Sequence, residues 1–176
     1  FSNYFIKDGI AGNAFNINSS CKTYDGELLF GGYNGITRFY PQNIVRNNHA
    51  PRTILTGLQL FNRQVSINGE DGILKKNINL QQTLVFHANQ NIFTVNFATL
   101  NYIMPEKNRY AYKLQGFDKD WTYTNTPSAT YMNLPPGEYT FQVKGTNNDQ
   151  IWGAPASIKI KVLPHFWETG WAYFIY

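Results

Sequence analysis

One cysteine, Cys21, is all the chain has, so no internal disulfide staples it and thiol pairing says nothing of its redox compartment. As a lone thiol it is expected to be a small buried apolar side chain. Histidine is almost as scarce. His49, His87 and His165 lie far apart, none in a metal-ligating spacing with Cys, Asp or another His, which argues against a metal enzyme. No glycine-rich phosphate loop opens a helix, and the serine pair Ser19-Ser20 lacks a nucleophile-elbow context. The Asp118-x-Asp120 pair lacks the rest of a calcium loop and is expected to be a solvated turn. Glu106, Asp118, Glu138 and Asp149 all fall in turns, and none is marked out as a glycosidase pair. The expectation is a non-enzyme without metal or cofactor.

Charge of one sign is also missing. Fifteen Lys and Arg against 11 Asp and Glu leave a net +4, and the basic residues are scattered rather than gathered on one stretch, so nucleic acid is not an expected partner. The chain opens on Phe1 with no basic, apolar leader, as expected of a processed or excised segment. Apolar runs of the ~20 residues needed to cross a bilayer are absent. The last eleven residues come nearest: Trp167, Trp171 and Tyr173 are amphipathic aromatics of the kind enriched at headgroup level, and Ala172, Phe174 and Ile175 suit hydrocarbon. Residues 164–176, entered through Pro164, therefore read as the start of a membrane helix that would continue past Tyr176. The alternative is an aromatic tail folded back onto a soluble domain.

What the chain does have is β-forming. Aromatics make up 16% of it, and 14 Gly and 8 Pro punctuate short apolar runs, a composition of all-β proteins with few helix-starting signals. Residues 1–45 read as one partial blade of a β-propeller: strands Leu28 to Gly32 and Ile36 to Tyr40 joined at Tyr33-Asn34-Gly35, with Ala14 to Ser19 as a third. Such a unit cannot bury both faces alone, so residues 1 to 50 are expected to be the least stable part. A polar, proline-bounded connector from Pro41 to Pro51 follows. Beyond it, period-2 alternation at Leu58/Leu60, Phe93/Val95/Phe97, Tyr110/Tyr112/Leu114, Tyr139/Phe141/Val143 and Ile158/Ile160/Val162 marks one-sided strands. With weaker candidates at Leu84 to Phe86 and Ala129 to Asn133, about seven strands in some 110 residues fit an immunoglobulin or fibronectin III-like β-sandwich. Leu134-Pro-Pro-Gly-Glu-Tyr139 suggests a tyrosine corner at Tyr139, and Trp121 and Trp152 are expected to be further core anchors.

The run Tyr110-x-Tyr112-x-Leu114-x-Gly116-x-Asp118-x-x-Trp121, with Tyr131-x-Asn133-Leu134-x-Pro136-Gly137-x-Tyr139-x-Phe141-x-Val143 and Asn147-Asn148 to Trp152, resembles the triple-tyrosine (Y_Y_Y) domain over residues 52–163. Asp8-Gly9-Ile10-x-x-Asn13-x-Phe15 and Gly26-x-Leu28-x-Phe30-Gly31-Gly32-x-Asn34-Gly35-Ile36-x-x-Phe39-x-Pro41 resemble the last unit of the regulator propellers that precede that domain. Ile10 replaces the usual Leu, and Gln150 replaces a glycine usual between Asn148 and Trp152.

The resemblance implies the periplasmic part of an inner-membrane hybrid two-component sensor of gut Bacteroidetes. The oligosaccharide would be bound by propellers of the parent protein, and this stretch would relay their rearrangement to the membrane helix and histidine kinase, as a homodimer. The implied partners are the parent's own propellers and membrane helix. The rival reading is a glycan-binding or accessory β-sandwich of a secreted carbohydrate-active protein, which needs aromatics on a solvent face.

Overall fold

The computed structural model describes residues 3–164. Trp167, Trp171, Tyr173 and the rest of the expected membrane entry lie outside the described residues; Pro164 is described and exposed. Among the described residues no helix is long and apolar enough to cross a membrane. The chain divides into two compact units, Phe1–Asn47 and Asn48–Tyr176.

The first unit is an antiparallel meander of β1 (Ser20–Lys22), β2 (Leu28–Gly32) and β3 (Gly35–Phe39). Thr23 Oγ1 accepts from Glu27 N at 2.9 Å and closes the β1–β2 turn around Gly26 (φ 92°). At the β2–β3 hairpin the register pairs Gly32 with Gly35 and leaves Tyr33-Asn34 as the loop, and Gly35 enters the left-handed region (φ 121°). Ala14 to Ser19 is not a strand. Asn16 and Ser19 still bond the backbone of Gly31, but Asn18 turns left-handed (φ 63°) and breaks the extension. Cys21 is exposed, contrary to the buried site expected, because a three-residue strand at the edge of a thin sheet has nothing to cover it. Phe30 stacks on Phe39 at 6.0 Å and meets Phe15 tilted at 5.6 Å, yet all three stay partly exposed. Among the described residues of this unit, no side chain larger than Thr37 is buried.

The second unit is a two-sheet sandwich. Its strands are β4 (Thr53–Leu60), β5 (Arg63–Gln64), β6 (Thr83–Phe86), β7 (Ile92–Thr99), β8 (Tyr110–Gln115), β9 (Thr122–Thr124), β10 (Ser128–Met132), β11 (Gly137–Gly145) and β12 (Ala156–Val162). One sheet runs β10-β7-β4-β5, the other β6-β12-β11-β8-β9. Neighbours are antiparallel except β6 and β12, where Leu84 pairs in parallel with Ile160. The first strand thus serves the four-stranded sheet and β6 crosses over beside the last strand, a split first strand of immunoglobulin type. The crossover follows a bulge between Leu55 and Gly57, held by Asn79, whose Oδ1 accepts from Leu55 N at 2.9 Å.

Alternation explains the core. Leu58, Val95, Phe97, Leu114, Phe141, Val143 and Ile160 are no more than 1% exposed and face one another between the sheets. Two strands of this unit escaped the sequence reading, β5 and β9. At two and three residues they are too short to show a period.

Candidate functional site

Sequence reading singled out the tyrosine motif, and the fold gathers much of it around one carboxylate. β8 ends at Gln115; Gly116 takes φ 97°, and the chain folds back so that Asp118 N donates to Leu114 O at 2.8 Å. A Cβ at Gly116 would stand 3.2 Å from the Tyr139 ring, so both conformation and space favour glycine there. Asp118 Oδ2 accepts from Leu114 N and from Tyr131 Oη, each at 2.7 Å. Asp118 is therefore half-buried and bonded, not the solvated turn residue expected; Asp120 is exposed. The signal missed was Tyr131, thirteen positions away, whose hydroxyl calls for a buried acceptor.

Tyr131 is the hub of the aromatic set. Its ring lies 5.9 to 6.2 Å from those of Phe93, Tyr112, Phe117 and Phe141, three of them edge-on at 82°. Burial pushes its phenol well above the ordinary tyrosine range, and the hydrogen bond to Asp118 adds to that. Burial raises Tyr112 as well, with the Asp118 charge contributing. Tyr110, 7% exposed, packs on Phe97 at 5.2 Å. Tyr139 forms the expected corner, its hydroxyl donating to Pro135 O at 2.8 Å. Asn133 is left-handed (φ 52°), as Asn tolerates, and its Oδ1 accepts from Asn91 Nδ2 at 2.8 Å.

The loop after β11 is organised by Asn147, which is fully buried. Its Oδ1 accepts from Asp149 N and Ile151 N, both at 2.9 Å, and its Nδ2 donates to His49 O. Gln150 sits at φ 64°, where a glycine would be unstrained, which gives physical meaning to the departure noted above.

Trp121 and Trp152 are not core anchors. Trp121 is half-buried and Trp152 is 36% exposed. Both lie on the outer face of the five-stranded sheet, where Lys144 pairs with Ala111 and Ala111 with Tyr123 in one cross-strand row. Lys144 Nζ stands 4.6 Å from the Trp121 ring centre and 5.0 Å from that of Trp152, and Tyr123 meets Trp152 edge-on at 5.9 Å. The ammonium holds the rings on the surface and covers Ala111, which is fully buried. The arrangement offers cation–π contact and partly open aromatic faces.

Comparison with known proteins gives the same picture. The Y_Y_Y domain family matches residues 101–163, the later part of the expected 52–163. The chain is 36% identical over 174 residues to "Histidine kinase P4" of Formosa agariphila, covering 98% of this chain and 13% of that protein. Among solved structures, the extracellular domain of the putative hybrid two-component system BT3049 from B. thetaiotaomicron superposes with TM-score 0.70 at 25% identity, over 93% of this chain and 22% of that one. The extracellular domain of the putative one component system BT4673 from the same organism gives 0.59 at 25% identity, over 85% and 21%. The chain thus spans about an eighth of the curated kinase and about a fifth of each solved domain. It is similar to extracellular domains of such systems, and its residues 101–163 match the Y_Y_Y domain family.

Proposed function

We propose that this chain is the juxtamembrane periplasmic module of a glycan-sensing two-component receptor. The carrying observation is the nearly full-length likeness to the extracellular domain of a putative hybrid two-component system, in a chain whose sandwich leads through Pro164 into a Trp- and Tyr-rich apolar sequence. The first unit, a three-stranded meander with a half-open apolar face, has the texture of an incomplete propeller blade whose neighbours lie in the parent protein. Oligosaccharide binds to the parent's propellers, and the sandwich, a rigid two-sheet body, passes their displacement to the membrane helix and the cytoplasmic histidine kinase. As a homodimer it converts that displacement into a change of helix spacing. The module itself changes no bond.

The test pairs cysteines across the dimer: Glu168→Cys in the intact receptor, crosslinked with and without an oligosaccharide drawn from a panel screened for binding. Ligand-dependent yield is expected. Identical yields at saturation contradict a moving helix pair.

A second reading is favoured by one observation, the exposed Trp152 and Tyr123 beside half-buried Trp121 on the outer sheet face. Such rings are stacking platforms for sugars, as a glycan-binding sandwich would need. Calorimetry of the isolated chain with the same panel separates the two readings: binding lost on Trp152→Ala supports this one, and no heat of binding supports the relay.

A further inference from the structure

The outer face of the four-stranded sheet is polar across its middle, with Ile54 paired to Ala98 toward one end and a more exposed apolar row at the other. Across its middle run Gln59, Thr94 and Thr130, the last two joined by a hydroxyl–hydroxyl bond of 2.8 Å. At the end, Met132 pairs with Ile92, and Phe61, in the turn after β4, donates its N–H to Ile92 O and adds a third apolar side chain beside them. Phe61 is 49% exposed and Met132 59%.

Phe61 is also in an unusual conformation. It and Asn62 are the two loop residues between β4 and β5, with φ of 49° and 62°, a turn that favours Asn or Gly in both places. An aromatic at the first place bears left-handed strain, and only about half of its surface is buried in return. Strain kept at an exposed tip points to use.

This end is also the one from which the chain leaves. Phe86 stacks on Phe93 at 4.3 Å; Phe93 pairs with Leu60, the residue before Phe61, and Leu163 N donates to Phe86 O. Pro135 and Pro136 are exposed here too, while Tyr102, 87% exposed, lies in the β7–β8 loop at the other end. Only two residues separate Pro164 from Trp167, three chain steps with a reach of at most about 11 Å.

We propose that Phe61, Ile92 and Met132 are a lipid-contacting edge, which rests against the headgroup layer of the bilayer and fixes the tilt of the sandwich on the membrane. The inference rests on the juxtamembrane reading above. If Trp167 sits at headgroup depth, so short a tether keeps this end of the sandwich beside the surface, where an exposed Phe and Met are favourable rather than a liability. Arg63, exposed next to the same turn, suits anionic headgroups, and the nearby Glu138 is already paired with Lys161 at 2.8 Å.

The test uses the full-length receptor, cleared of native cysteines (Cys21→Ser among them), in vesicles of phosphatidylethanolamine and phosphatidylglycerol. An environment-sensitive fluorophore is attached in separate variants at Phe61→Cys, Met132→Cys, Trp167→Cys and Tyr102→Cys, with a headgroup-spin-labelled lipid as quencher. Quenching at 61 and 132 is expected to lie within about twofold of that at 167 and several-fold above that at 102. Quenching at 167 with 61 and 132 no higher than 102 overturns the lipid edge and leaves the juxtamembrane reading standing. Absence of quenching at 167, 61 and 132 alike overturns both.

Discussion

Replacing Asp118 by Ala removes one oxygen that serves two donors, so its cost is calculable from the structure. Leu114 is fully buried, and its N–H loses its acceptor at 2.7 Å; Tyr131, 6% exposed, loses the partner of its hydroxyl at the same distance. Charge-assisted bonds of this kind contribute about 1.5–3 kcal/mol each. Discounting for the half-exposed carboxylate, we expect Asp118→Ala to cost about 3 kcal/mol, a large share of the ~5–15 kcal/mol of a typical domain. Tyr131→Phe removes one of the two bonds and should cost about 1.5 kcal/mol. Because both changes break the same bond, the double variant should cost about 1 kcal/mol less than their sum. Urea unfolding followed by tryptophan fluorescence measures this without a signal from the first unit, since residues 1–47 contain no Trp. A loss below about 0.5 kcal/mol for Asp118→Ala, or strict additivity of the pair, would refute the idea that the carboxylate organises the tyrosine cluster.

Gln150→Gly relieves a left-handed residue and should raise stability by about 0.5–1 kcal/mol in the same assay; a loss would mean the Gln side chain matters more than its backbone. Alkaline pH should destabilise the sandwich through Tyr112 and Tyr131. Both phenols are raised in the folded state, so the unfolded chain releases protons first, near pH 10, and stability intact below that pH falls as pH rises above it. For Tyr131, the more strongly raised of the two, the slope approaches about 1.4 kcal/mol per pH unit. Tyr131→Phe should therefore make it clearly shallower, which unfolding midpoints between pH 9 and 11.5 would show.

The sandwich was legible because its information is local: strands such as β7 and β11 place every second side chain inward, and the Pro-Pro-Gly turn stands next to the tyrosine it positions. Asp118 was misread because its partner arrives from another strand. Trp152 was misread for a related reason. A large aromatic beside a loop is ordinarily core, and only the register that sets Lys144 beside Ala111 shows that its ring is held outside by an ammonium. Cys21 follows the same logic, since burial depends on a covering layer that a three-stranded sheet does not supply. Gln150 stood out through family likeness alone, and its positive φ supplies the reason.

A relay needs an unbroken mechanical path from the sandwich to the membrane helix. Inserting Gly-Ser-Gly-Ser between Leu163 and Pro164 of the full-length receptor would make that path flexible. The account predicts unchanged oligosaccharide affinity with loss of ligand-dependent autophosphorylation; a receptor that binds and responds as before would contradict it.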